Sequence, residues 1–182
     1  MFVINYLWDL PRASRLVPNT VIKFIFDNWQ LSGVSTFATG LPQPINFDTS
    51  DGADIAGGGD GVRANVVDSV TKGGGSFYHW FNPAAFARPP QGYFGNASVY
   101  PFHGPGQNNW DITLAKRFPL WSEKRSIQFR SEFYNAFNHT QYASVDNNPV
   151  FDPSGAQING EFGQVIATRA PRVIQFSIRL DF

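Results

Sequence analysis

PRVIQFSIRLDF, residues 171–182, is a stretch in which apolar and polar side chains alternate almost perfectly. Successive side chains of a strand point to opposite faces, so one face carries an unbroken apolar stripe: Ile174, Phe176, Ile178, Leu180 and Phe182. A soluble half-buried strand also alternates. A stripe this long, however, needs a broad apolar medium opposite it, and lipid supplies one. The stretch therefore predicts a strand of a membrane β-barrel.

Less regular alternation elsewhere predicts further strands of an all-β, antiparallel barrel. Strands are expected at about residues 2–10, 22–37, 43–48, 109–118, 126–138 and 171–182, with a further candidate at 162–168. The segment 22–37 is either one long strand or a hairpin, because Asp27 and Asn28 separate two apolar clusters. Most of these segments approach the roughly 9–11 residues that a tilted strand needs to cross a bilayer.

The number of expected strands leaves two interpretations open. The smallest membrane barrels have about eight strands, so the chain is either a small closed barrel with undercounted strands or a fragment of a larger one. Residues 1–6 lack the basic region of a signal peptide, and the strand at 2–10 reads as one whose beginning is missing. Both features favour a fragment, so residues 1–182 are expected to form the C-terminal part of an outer-membrane barrel.

The segment from about 49 to 108 predicts one long loop. It is rich in glycine and proline and far exceeds the usual loop length of about 4–6 residues. Outer-membrane barrels combine long extracellular loops with short periplasmic turns. The segment is therefore expected to be extracellular, and the chain to lie in the bacterial outer membrane.

The composition excludes several classes of function. The chain has 14 Lys+Arg and 14 Asp+Glu, and this balance argues against a nucleic-acid partner. It has no cysteine, which excludes disulfides and thiolate metal sites. No apolar run of about 18 residues predicts a membrane-spanning helix.

Four charged residues fall on the polar faces of expected strands: Arg130, Glu132, Arg179 and Asp181. Opposite charges on neighbouring strands can pair, and the lumen of a barrel is wet and polar. A lumenal ladder of ion pairs is the favoured interpretation, and ligand binding is the alternative.

The expected long loop is unusually aromatic. Its rings either form a mouth that holds a ligand or pack the loop upon itself, and self-packing is favoured. The residues concerned include Trp80, Phe81, Phe86, Tyr93 and Phe94, together with Tyr100 and Phe102.

No pattern predicts a metal, a cofactor or catalysis. His79, His103 and His139 lack metal-ligand spacing. The loop acids Asp51, Asp54 and Asp60 offer oxygen ligands for Ca²⁺ without the twelve-residue calcium pattern, so a flexible loop is favoured over a calcium site. No nucleophile elbow or comparable local arrangement is present, and the chain is not expected to be an enzyme.

Several motifs resemble a known family. They are WQLSG at 29–33, WFNPAAF at 80–86, FGN at 94–96, GPG at 104–106, QFRSEFYNAFNH at 128–139 and RVIQF at 172–176, with Asn109, Asp111, Leu114, Lys116 and Phe118. Together they resemble the C-terminal barrel of TonB-dependent receptors of the Oar-like type, which often carry a carboxypeptidase-regulatory-like domain and are abundant in Acidobacteria.

This resemblance implies a barrel of about 22 strands, of which the chain holds the last third or less. It implies energy-coupled import of a small-molecule, carbohydrate or peptide ligand, with the TonB complex acting through an N-terminal plug. The stripe from Ile174 to Phe182 also resembles the signal that the barrel-assembly machinery recognises. Two alternatives remain: a small self-contained barrel with an adhesin or structural role, and a soluble β-sandwich that binds carbohydrate.

Overall fold

A computed structural model describes residues 1–58, 61–120 and 125–182, which form two compact units. The first unit consists of Met1–Ala38, Gln107–Thr140 and Ala170–Phe182, and the second of Thr39–Gly106 and Gln141–Arg169. The strands, in chain order, are β1 (Phe2–Asp9), β2 (Trp29–Ala38), β3 (Pro42–Gln43), β4 (Asp48–Thr49), β5 (Asn65–Val66), β6 (Phe86–Ala87), β7 (Phe102–His103), β8 (Gln107–Pro119), β9 (Ser126–Tyr134), β10 (Tyr142–Val145), β11 (Val150–Phe151), β12 (Val165–Thr168) and β13 (Val173–Asp181).

One α-helix, α1 (Thr20–Phe26), and two 3-10 turns, Ala13–Arg15 and Pro83–Ala85, complete the secondary structure of the described residues. No helix among these residues has both the length and the apolar character needed to span a membrane.

The first unit is a five-stranded antiparallel sheet in the order β1-β2-β8-β9-β13. The register pairs Leu31 with Leu114, Ile112 with Phe133, and Phe129 with Ile178. Since side chains alternate along each strand, this register collects the apolar residues of all five strands on one face. That face carries Phe2, Ile4, Tyr6, Trp8, Trp29, Leu31, Phe37, Trp110, Ile112, Leu114, Phe118, Ile127, Phe129, Phe133, Ile174, Phe176, Ile178 and Leu180.

The predicted strand at 22–37 is wrong in its first part, because Thr20–Phe26 is helical and only Trp29–Ala38 is a strand. The side chain of Asn19 accepts a hydrogen bond from the backbone N–H of Val21 at 2.8 Å, which is an N-cap. Val21, Phe24 and Ile25 have helical spacing, yet a short apolar run of this kind fits a helix or a strand equally well.

Other predicted boundaries also differ from the structure. The strand expected at 43–48 is two separate two-residue strands, β3 and β4, because prolines interrupt the segment. The strand expected at 126–138 ends at Tyr134, where Asn135 adopts φ 50° and turns the chain. At 162–168 the structure has β12, which pairs with the unpredicted strand β10 outside the five-stranded sheet.

The second unit corrects the prediction of an irregular loop at 49–108. It contains four two-stranded pairings, β3-β7, β4-β11, β5-β6 and β10-β12, and a core of its own. Residues far apart in the sequence build that core: Ala64, Phe81, Ala85, Phe86, Phe102, Phe151 and Phe162. Segments 39–106 and 141–169 therefore fold together, and aromatic packing replaces the extensive hydrogen-bonded sheet of the first unit.

Candidate functional site

The apolar face of the sheet extends across all five strands of the first unit. In β13, Phe176 is 64% exposed, and its neighbours in the stripe, Ile174, Ile178, Leu180 and Phe182, are exposed as well. The Phe176 ring stacks on Phe129 of the adjacent strand, with 6.0 Å between ring centroids. Large contiguous apolar surfaces on soluble monomers are rare and mark contact with a partner or a membrane. This face is therefore a candidate lipid surface.

The opposite face of the sheet carries the four predicted lumenal charges. Arg130 pairs with Glu132 at 2.9 Å, and Arg179 pairs with Asp181 at 2.8 Å. Each ion pair lies within one strand, so the expectation of pairing between neighbouring strands is wrong for these four residues. The register explains the difference, because Arg130 lies opposite Ala115 and Ser177 and does not face an opposite charge.

Ser126 provides the link between strands on this polar face. Its hydroxyl oxygen accepts a hydrogen bond from Arg117 Nε at 2.9 Å, and the hydroxyl donates to Asp181 at 3.4 Å. A polar network thus joins β8, β9 and β13. The sequence indicated Asp181 at one end of this network but neither Arg117 nor Ser126, because a buried serine at the start of a strand carries no distinctive pattern.

A polar cavity of about 330 Å³ lies at the same end of the polar face. Within it, Gln30 Nε2 donates to Asp9 Oδ1 at 2.8 Å. Its lining residues are Asp9, Leu10, Arg12, Asn28, Trp29, Gln30, Ala115, Arg117 and Gln128. Polar, water-accessible walls of this kind are typical of a barrel lumen.

Lys116 interrupts the apolar face and is buried by its neighbours. Its Nζ donates to the backbone carbonyl of Asp27 at 2.7 Å and lies 4.9 Å from the ring centroids of both Trp29 and Phe118. The ring of Phe24, from α1, packs on Phe118 at 5.2 Å. The ammonium group is thus held by a carbonyl and two aromatic rings. The sequence showed Lys116 only as part of the family resemblance.

Asp27 fixes the segment that leads into β2. Its carboxylate accepts hydrogen bonds from the Ser14 hydroxyl at 2.5 Å and the Ser14 backbone N–H at 3.1 Å. The hydrogen bond from the Ser14 hydroxyl is the main cause that lowers the pKa of Asp27 below its ordinary value of 3.8, although burial opposes it. The ionised form is therefore the one that holds the 3-10 turn at Ala13–Arg15 in place.

Protonation of Asp27 is expected to loosen this turn. A carboxyl whose folded-state pKa is depressed contributes stability above its unfolded pKa and loses that contribution as the pH falls through the folded value. Amide hydrogen exchange at residues 12–16 should therefore be slower in the wild type than in Asp27→Asn at pH 6. The two proteins should converge only as the pH falls through the folded-state pKa of Asp27, which lies below 3.8. A difference between them that persists unchanged into strong acid would contradict this role.

The aromatic residues predicted in the loop divide into two groups. Phe81 and Phe86 are buried in the core of the second unit, and Trp80 packs against that core while its Nε1 donates to the His103 carbonyl at 2.8 Å. Tyr93 and Phe94 are 66% and 60% exposed. Only these last two of the five are free to contact a ligand.

The described residues 1–58, 61–120 and 125–182 contain no group of three or more His, Cys, Asp or Glu side chains that could hold a metal ion. Asp51 lies 3.7 Å from Arg88 in an ion pair, and Asp54 accepts a hydrogen bond from the Gly57 N–H at 2.8 Å. Asp60 lies outside the described residues. The two described acids that were considered as calcium ligands are therefore engaged within the protein.

Comparison with known proteins gives one match. The family model described as "Outer membrane beta barrel domain" matches residues 1–175, which include both units apart from the end of β13. Neither the curated proteins nor the solved structures gave a match to the chain.

Proposed function

Because the chain belongs to the outer membrane beta barrel domain family, we propose that it is a wall segment of a TonB-dependent receptor. The family membership places the chain in the bacterial outer membrane. In this proposal the apolar face contacts lipid and the polar face lines the lumen, as in other outer-membrane barrels. The full-length protein imports a ligand across the membrane, and the chain itself performs no chemical reaction.

The observation that carries the proposal is the pair of open edges of the five-stranded sheet. β1 and β13 are its outermost strands, and within the described residues neither pairs with the other. A β-structure in lipid must satisfy its edge N–H and C=O groups by closing, and membrane barrels need about eight strands or more. Strands from outside this sheet are therefore needed on both edges, and a larger barrel supplies them. The figure of about 22 strands is what the resemblance to TonB-dependent receptors implies.

The proposed partners follow from this placement. The lipid of the outer membrane covers the apolar face, and the barrel-assembly machinery recognises the stripe Ile174, Phe176, Ile178, Leu180 and Phe182. The TonB complex acts through an N-terminal plug in the lumen. Tyr93 and Phe94 are exposed in the second unit and are candidates for contact with a small-molecule, carbohydrate or peptide ligand.

Heat modifiability in a gel tests the wall role, because a closed barrel resists detergent until it is heated. The full-length protein, refolded in detergent micelles, is expected to shift its mobility on heating. The 182-residue chain alone is expected to show no shift, because two open edges leave it unclosed. A heat-modifiable monomer from the chain alone would instead support the small self-contained barrel with an adhesin or structural role.

Cross-linking in bacterial cells tests the transport role. The full-length protein should be found in the outer-membrane fraction and should cross-link to TonB through a photoreactive group in its plug. A protein that closes into a heat-modifiable barrel but never cross-links to TonB would retain the wall role and refute energy-coupled import.

A further inference from the structure

The segment of residues 10–28, which connects β1 to β2, is more than a turn. It contains α1 and the 3-10 turn at Ala13–Arg15. It leaves the sheet at the same end as the short connection 120–125, whereas the connections 39–106 and 135–172 leave at the other end. Long connections of outer-membrane barrels are extracellular and short ones periplasmic. Residues 10–28, here called the basic segment, therefore lie on the periplasmic side.

The surface of the basic segment is both apolar and positively charged. Arg12, Arg15 and Lys23 are exposed, while its only acidic residue, Asp27, is 1% exposed and bonded to Ser14. Six large apolar side chains are also exposed: Leu16, Val17, Val21, Phe24, Ile25 and Phe26. Segments with this combination lie in the plane of a membrane interface, with apolar groups in the acyl region and cations near anionic headgroups.

The basic segment is continuous with the apolar face of the sheet. Phe24 packs on Phe118 at 5.2 Å, so the surface of α1 merges with that of β8. Beside this contact lies an open apolar groove of about 490 Å³, which reaches across β9 to β13. It is lined by Phe24, Ile25, Trp29, Lys116, Phe118, Ile127, Phe129 and Ile178. The groove opens onto the apolar face, which contacts lipid in the proposed wall role. An acyl chain can therefore enter it from the bilayer.

We propose that the basic segment binds an anionic glycerophospholipid of the periplasmic leaflet, with one acyl chain in the groove and the headgroup near Arg15 and Lys23. Lys116 takes no part in headgroup binding, because it is only 4% exposed and its Nζ is held inside the protein by the Asp27 carbonyl. A protein partner is disfavoured, because the groove opens toward the bilayer and not toward the periplasm. This inference rests on the proposed wall role of the chain.

The charge requirement is tested with the full-length protein and two lipids. Native mass spectrometry should show tighter binding of phosphatidylglycerol than of phosphatidylcholine. The double variant Arg15→Gln/Lys23→Gln is expected to lose about tenfold or more in affinity for phosphatidylglycerol, since basic groups near an anionic surface strengthen its attraction to the protein. The matched control Arg169→Gln/Arg172→Gln removes two exposed basic residues elsewhere and should bind as the wild type does. Unchanged binding by the first variant would overturn the proposal.

The location is tested with spin labels in lipid nanodiscs. Val21 and Val67 are equally exposed, at 62% and 63%, but only Val21 belongs to the basic segment. A label on Val21→Cys should be more accessible to oxygen, and one on Val67→Cys to a water-soluble nickel chelate. A heat-modifiable protein whose Val21→Cys label lies in water would refute the lipid site and leave the wall role intact. A wild-type full-length protein that shows no heat modifiability would refute the wall role itself.

Discussion

Replacing Phe81 with alanine is expected to destabilise the second unit by about 3–5 kcal/mol, the cost of truncating a fully buried phenylalanine. Phe81 is 1% exposed and lies at the centre of the aromatic core. Its ring centroid is 4.5 Å from that of Phe102, 5.1 Å from Phe162 and 5.7 Å from Phe86. Truncation therefore removes contacts to three rings that come from different parts of the unit, and a cavity remains because those rings cannot all move inward.

Pulse proteolysis of the full-length protein in increasing urea measures this effect, because Arg63 and Lys72 are tryptic sites within the unit. The midpoint for cleavage at these sites should shift to lower urea in Phe81→Ala. Tyr93→Ala is the matched control, because Tyr93 is an exposed aromatic of the same segment, and such substitutions change stability by about 0.5 kcal/mol or less. Equal midpoints for both variants would mean that Phe81 is not a core residue.

The long strands of the five-stranded sheet were predictable because their signal is local. In β13 the apolar side chains recur at every second position, and in β8 only Lys116 breaks the same pattern between Trp110 and Phe118. The sequence alone therefore indicates both the strands and the faces that they expose. The family match and the antiparallel sheet confirm an all-β outer-membrane barrel domain. The number of strands in the complete barrel stays a prediction.

The fold of the second unit was not predictable from local patterns. Its core joins Phe81 to Phe162, and the Asn147 side chain donates to the Pro44 carbonyl across 103 positions of the chain. The strands in this unit have two to four residues, too short for periodicity to appear. A segment rich in glycine and proline therefore resembles a loop, even though contacts between distant residues give it a core.

The basic segment escaped prediction for a related reason. The sequence predicts a strand from residue 22 onward, because a run of seven residues, the length of α1, is too short to separate the helical period from the strand period. Two contacts stabilise the structure of this segment: the Asn19 side chain caps α1, and the Asp27 carboxylate binds Ser14. Asp27 lies 13 positions from Ser14, so no local pattern contained that contact.

A pair of arginine substitutions in β13 separates the lipid face from the lumenal face. Phe176→Arg places a charge on the apolar face near the middle of the strand, where arginine costs about 2–4 kcal/mol in a membrane barrel. Gln175→Arg places the same charge one position earlier, on the opposite face and across from Glu132. It should be nearly neutral. Phe176→Ala is the control for the loss of stacking on Phe129, because it removes the ring without adding a charge.

Two measurements distinguish the energetic effect in lipid from recognition during assembly. Folding of the full-length protein into lipid vesicles, followed by heat modifiability across urea concentrations, reports the cost of the charge without any assembly factor. The amount in the outer membrane of cells reports that cost together with recognition of the stripe.

If Phe176→Arg lowers both and Gln175→Arg lowers neither, the apolar face contacts lipid. A loss in cells without a loss in vesicles would instead assign Phe176 to recognition by the assembly machinery alone. Equal effects of the two arginines would contradict the assignment of faces, because period-two alternation is what makes neighbouring positions differ.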